Sequence, residues 1–143
     1  MAGIVVGYDG SANAEYALDW AMQRADAEHK ALTVLTINEV AVSPWTGEPS
    51  AVPADAIMME KARQAAGAAV EKVGKQFSPA PPVTITATTG LAGEELIRAS
   101  EEADMLVIGS RGQRGFPALR VSEIATKVAH YASCPVVIVP PAQ

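Results

Sequence analysis

Short, uniformly apolar runs alternate along this chain with longer stretches whose apolar positions recur every three or four residues. Ile4-Val5-Val6-Gly7-Tyr8 is the first run. Its β-branched side chains favour an extended backbone, and Asp9-Gly10-Ser11 closes it with a turn that places Ser11 to cap a helix. Ala14, Ala17, Leu18, Ala21, Met22 and Ala25 then share one face of an amphipathic helix. Residues 32–37 read as a second strand. Residues 38–53 break the periodicity with Pro44, Gly47, Pro49 and Pro53, and a loop of that length in a compact domain goes with function or disorder. Alanine-rich helical spacing returns over residues 55–76, with Met58, Ala62, Ala65, Ala69 and Val73 on its stripe. A stiff proline-rich linker at 78–82 leads to a third strand at 83–87. A short helix over about 93–102 opens with Glu94 and Glu95, whose charge suits the positive end of the helix dipole. Residues 105–108, apolar throughout, make a fourth strand; a glycine-containing loop, a helix near 122–132 and a last strand at 135–139 complete the chain.

Strands without a polar face need cover on both sides, and helices between successive strands supply it. The pattern therefore predicts a single α/β domain over residues 1–143, doubly wound around a parallel sheet. In such sheets ligands bind beyond the carboxyl ends of the strands, where the winding reverses. Function is thus expected in the loops after Tyr8, Ile37 and Ile108.

Composition narrows the choices. With 11 Lys+Arg against 16 Asp+Glu the 143-residue chain carries a formal charge of −5 and has no basic run, which counts against nucleic acid as a partner. One cysteine excludes an internal disulfide framework and a cysteine-rich zinc site. No apolar stretch approaches the ~20 residues of a membrane span, and the first residues carry no basic flank of a signal peptide. The expectation is a soluble, cytoplasmic protein with no membrane partner.

The loop after the fourth strand, Gly109-Ser110-Arg111-Gly112-Gln113-Arg114-Gly115-Phe116-Pro117, precedes a helix, and Arg120 follows nearby. Glycines let backbone amides approach a ligand, and a helix N-terminus adds free N–H donors, a combination that favours phosphate. Alone, Gly-x-x-Gly is a weak signal, equally served by tight turns. Asp9 has two readings: an Asx-turn residue supporting Gly10 and Ser11, or a carboxylate that accepts hydrogen bonds from a base or ribose.

Three segments in this order resemble the universal stress proteins across nearly the whole chain: residues 4–11 with Ala17-Leu18-Asp19-Trp20-Ala21, Ala103-Asp104-Met105-Leu106-Val107-Ile108-Gly109-Ser110-Arg111-Gly112, and Ala132-Ser133-Cys134-Pro135-Val136-Val137-Ile138-Val139. The resemblance implies a five-stranded parallel sheet of order 3-2-1-4-5 and homodimers joined through the last strand, Val136–Val139. It also implies ATP or another adenine nucleotide as ligand in some members. Nucleotide-binding members carry Gly-x-x-Gly, nine residues, then Gly followed by Ser or Thr. Gly109 and Gly112 match the first half, Asp9 matches the acid that holds the adenosine, and the backbone near Ile37 matches the segment beside the adenine.

The second half departs from the pattern: Ser122-Glu123 replaces Gly-Ser, and Ala125 stands where a serine is common. A carboxylate ~4 Å from a phosphate charge costs about 4 kcal/mol at an effective dielectric near 20 and about 1 kcal/mol in bulk water. At 1.4 kcal/mol per tenfold, that is several-fold to roughly a thousandfold in affinity. Glu123, in the first turn of its helix, is also a candidate to fill the anion position itself. The candidate ligand residues are Asp9, Ile37, Gly109, Arg111, Gly112, Ser122 and Glu123. Two readings stand: a nucleotide-responsive stress protein acting by binding and dimerisation on an unidentified protein partner, and a dimeric interaction protein of the same fold that needs no nucleotide. No catalytic residue is assigned, because no nucleophile–base pair or P-loop is visible. Cys134, His29 and His130 are read as packing or solvated residues. Trp45 either closes over the crevice or anchors its loop.

Overall fold

The computed structural model describes residues 3–39, 45–46, 56–111 and 122–141. Its elements are β1 (Ile4–Gly7), α1 (Ala12–Glu28), β2 (Leu32–Glu39), α2 (Ala56–Gly74), β3 (Val83–Gly90), α3 (Ala92–Ser100), β4 (Met105–Gly109), α4 (Glu123–Tyr131) and β5 (Val136–Val139). The strands form one sheet of order β3-β2-β1-β4-β5, parallel at every junction. This is the order the resemblance implied.

Alternation along the central strand builds the two layers. Ile4 and Val6 face the cluster under α1 and α2, with Leu18, Met22, Leu32 and Val34; Val5 faces the cluster under α3 and α4, with Leu35, Leu96, Leu106 and Val128. Both faces of β1 are therefore dry, which is why its sequence shows no polar alternation.

The expected stripe of α2 holds at Ala69 and Val73 and is corrected at Met58 and Ala65. Ala66, Ala69 and Val73 are the buried positions, whereas Met58 and Ala65 of the expected stripe are exposed. In so alanine-rich a helix neighbouring faces carry nearly the same side chains, and the packing partner decides. β3 runs three residues beyond its expected end because Thr88, Thr89 and Gly90 pair with Ile37, Asn38 and Glu39 of β2. Expected residues of the long loop at 40–44 and 47–53, together with Gly112, Arg114 and Arg120, lie outside the described residues. Trp45 is described and is 92% exposed.

Candidate functional site

The winding reverses at β1, whose neighbours β2 and β4 lie on either side of it. Val6 pairs with Val107, so Asp9 and Ser110, each three residues further on, leave the sheet at the same level. Gly7 pairs with Leu35, which brings Ile37 level with Asp9 on the other side. Asp9, Ile37 and Gly109 thus share one carboxyl rim.

On the β1 side the local chemistry is turn chemistry. The Asp9 Oδ1 accepts a hydrogen bond from the Ser11 amide at 2.9 Å, closing an Asx-turn, while Gly10 takes the left-handed φ of 85° that the turn requires. Ser11 caps α1, its Oγ accepting from the Ala14 amide at 3.1 Å. Asp9 remains exposed. Behind it Tyr8 is buried; burial, followed by the Glu15 and Asp9 carboxylates, pushes its phenol pKa up against the opposing pull of Lys72. Lys72 in turn meets Glu15 at 2.6 Å, which raises its own pKa. Ile37 is half-buried against the α3–α4 layer, with its backbone paired to Thr88.

On the β4 side the chain is tied to itself. The Ser110 amide donates to the Val139 carbonyl at 2.9 Å, and the Ser110 carbonyl accepts from the Ser122 amide at 2.8 Å. The Arg111 amide donates to the Asn13 Oδ1 at 2.8 Å. These two amides, which the glycine-loop pattern marks as candidate phosphate donors, therefore have protein acceptors. Gly109 is small for a reason other than a ligand's approach: a Cβ there would lie 2.9 Å from the Asn13 Cγ. Ser122 caps α4, its Oγ accepting from the Ala125 amide at 3.1 Å, and its carbonyl accepts from the Thr126 amide at 3.0 Å. Glu123 is exposed in the first turn of that helix, at its positive end. The Ser122–Ser110 bond joins the start of α4 to the rim beside Arg111, so Asp9, Ile37, Gly109, Arg111, Ser122 and Glu123 belong to one end of the sheet.

Asn13 was not among the residues singled out from the sequence. It is 6% exposed, yet it is a polar residue on the stripe that continues through Ala17, Ala21 and Ala25 at intervals of four. An asparagine extending an otherwise alanine line was the available signal: a buried carboxamide needs partners.

A groove of about 410 Å³ between α1 and α2, lined by Glu15, Tyr16, Asp19, Lys72 and Gln76 among others, includes none of the expected site residues. Cys134 packs half-buried against the α3–α4 layer, and burial raises its thiol pKa. His29 ends α1 in a left-handed conformation, with φ 55°. Among the described residues no group of three potential ligands could hold a metal ion, and no helix is long and apolar enough to cross a membrane.

Comparison with known proteins decides the family. The model of the universal stress protein family matches residues 2–140. The chain belongs to that family. A universal stress protein of Mycolicibacterium smegmatis is 32% identical over 141 residues, covering 96% of this chain and 47% of the relative. The chain spans about half the length of the curated relatives it matches. Among solved structures, a universal stress protein in complex with cAMP superposes with a TM-score of 0.66 at 24% identity, covering 96% of this chain and 94% of the other. The universal stress protein from Archaeoglobus fulgidus in complex with dAMP gives 0.62 at 18% identity, covering 97% and 98%. These two share the fold with this chain.

Proposed function

We propose that this universal stress protein binds an adenine nucleotide of low phosphate charge, AMP or a cyclic monophosphate in preference to ATP, and acts through binding and dimerisation rather than turnover. One observation carries the reading: the Asp9 turn, Ile37 and the Gly109–Arg111 segment meet on a single rim at the point where the sheet reverses its winding. Asp9 receives the adenosine, the backbone at Ile37 lies beside the base, and Gly109, Arg111 and Ser122 border the phosphate side. Glu123 stands at the start of α4, where each added phosphate charge meets its carboxylate. That the two structural relatives above hold cAMP and dAMP, each with one phosphate, supports this choice.

The sheet also supports a homodimer. β5 is one of the two edge strands, and its residues Val136, Val137, Ile138 and Val139 are all half-exposed. An apolar outer strand is a site for pairing with a second copy. A cytoplasmic location, where adenine nucleotides are abundant, and an as yet unidentified protein partner complete the reading. Titration calorimetry of the protein with AMP, with Asp9→Ala as the control, tests it: wild type binds and the variant loses affinity by about tenfold or more, the order of a charge-assisted hydrogen bond. Equal affinities would remove Asp9 from the site.

The second reading, a dimer that works without nucleotide, is favoured by the Ser110 and Arg111 amides, which already have acceptors within the protein. An absence of binding by AMP, cAMP and ATP alike selects it.

A further inference from the structure

The carboxamide of Asn13 reaches two strands at once. Its Oδ1 accepts from the Arg111 amide at 2.8 Å and from the Ser110 hydroxyl at 3.4 Å, and its Nδ2 donates to the Val139 carbonyl at 3.0 Å. Those partners lie about a hundred residues or more away in sequence, so none of these bonds serves local helix formation. The same side chain fills the space a Cβ at Gly109 would need. Val139 is the last residue of β5, and its carbonyl also accepts from the Ser110 amide. Every polar atom of the carboxamide head thus has a partner on either the ligand loop or β5.

We propose that Asn13 is the positioning residue of the candidate site: it fixes the direction in which the chain leaves β4 at Gly109-Ser110-Arg111 and joins that departure to the end of β5. The chemistry favours asparagine here over other small polar residues. A serine hydroxyl is too short to span Arg111 and Val139, and an aspartate has no N–H for the Val139 carbonyl. With Asn13 in place, the backbone at Ser110-Arg111 is already fixed, and ligand binding at that rim does not first have to order those two residues. The ligand part of this inference rests on the nucleotide reading above; the positioning part does not.

Amide hydrogen exchange, read residue by residue in the intact protein, separates the two. In wild type the Arg111 amide exchanges slowly; in Asn13→Ala it exchanges about tenfold faster or more, as expected for one lost buried acceptor, while the Leu106 and Val107 amides of β4 keep their rates. A uniform rise along β4, or an unchanged Arg111 rate, overturns the proposal. Should Asn13→Ala fail to fold, Asn13→Asp carries the test, since it keeps the acceptor and removes the donor. Arg111 then stays within about threefold of wild type while the Val139 carbonyl carbon resonance moves, and a fast Arg111 amide or an unmoved Val139 carbonyl overturns the proposal. AMP titration of Asn13→Ala adds the functional half, with affinity expected to fall about tenfold. A wild type that ignores AMP, cAMP and ATP alike defeats the nucleotide reading alone, because the exchange measurements still decide the role of Asn13.

Discussion

The two halves of the carboxyl rim are built differently. Around Asp9 the chain makes one short turn, held by its own side chain and by the cap of α1, and leaves the carboxylate at the surface. Around Ser110 the backbone is woven into three other elements, through Asn13 of α1, Val139 of β5 and Ser122 at the head of α4. A half that presents a group to solvent suits recognition of a ligand's polar edge. A half whose amides already have protein acceptors, with a carboxylate at the neighbouring helix start, suits a ligand that brings little negative charge. The contrast between them, rather than either alone, is the basis for preferring a monophosphate.

The largest effect is expected where the halves differ most in charge. Glu123→Ser removes the carboxylate at the start of α4 and raises ATP affinity by about fivefold to a thousandfold, corresponding to about 1–4 kcal/mol, with a smaller change for AMP. Calorimetric titration of both ligands reads it directly, and an unchanged ATP affinity takes Glu123 out of the site. Next comes packing on the woven half. Gly109→Ala drives a Cβ to 2.9 Å from the buried Asn13 Cγ and costs about 1–3 kcal/mol in urea unfolding. The same substitution in an Asn13→Ala background costs less, because the obstructing carboxamide is gone. If the double variant loses stability additively, the contact is not the reason for the glycine.

Ser122→Ala removes the α4 cap and lowers stability by about 0.5–2 kcal/mol, seen as a reduced thermal midpoint. Its counterpart Ser11→Ala, at the head of α1, loses a cap of the same 3.1 Å geometry, so the two losses should be similar. A Ser122 effect several-fold larger would mean that its neighbours on the rim depend on the cap as well.

The smallest effect is in pH. Tyr8, Lys72 and Cys134 all have pKa values raised in the folded state, the first and last chiefly by burial and the second by Glu15. A raised pKa stabilises the fold fully below the group's unfolded value, and that contribution is lost as pH rises through the folded value. The thermal midpoint should therefore be level from about pH 6 to 8 and fall above roughly 8.5, where thiols and then phenols and amines titrate. Cys134→Ala should soften the first part of that fall, and a midpoint that rises between pH 8 and 10 would contradict the assignment.

Much of this architecture was legible in the residues. β1 and β4 announced themselves because strands covered on both faces carry no polar alternation, and the cap at Ser11 followed from its place after Asp9-Gly10. The last residues of β3 did not, since Thr88, Thr89 and Gly90 extend the strand through backbone pairing with β2 that side chains do not advertise. The buried face of α2 was obscured by alanines on several sides of the helix. In the candidate site, Asp9, Ile37, Gly109 and Ser122 were singled out from the strand ends and the family resemblance, but the contact that keeps Gly109 small was not. That contact is with Asn13, ninety-six residues earlier in the chain, and only the tertiary fold brings the two together.

Side-by-side calorimetric titration of the wild-type protein with AMP and ATP at one salt concentration bears most directly on the preference for low phosphate charge. Tighter binding of AMP than of ATP is the expected result. Tighter binding of ATP, or no heat from either nucleotide, would contradict it.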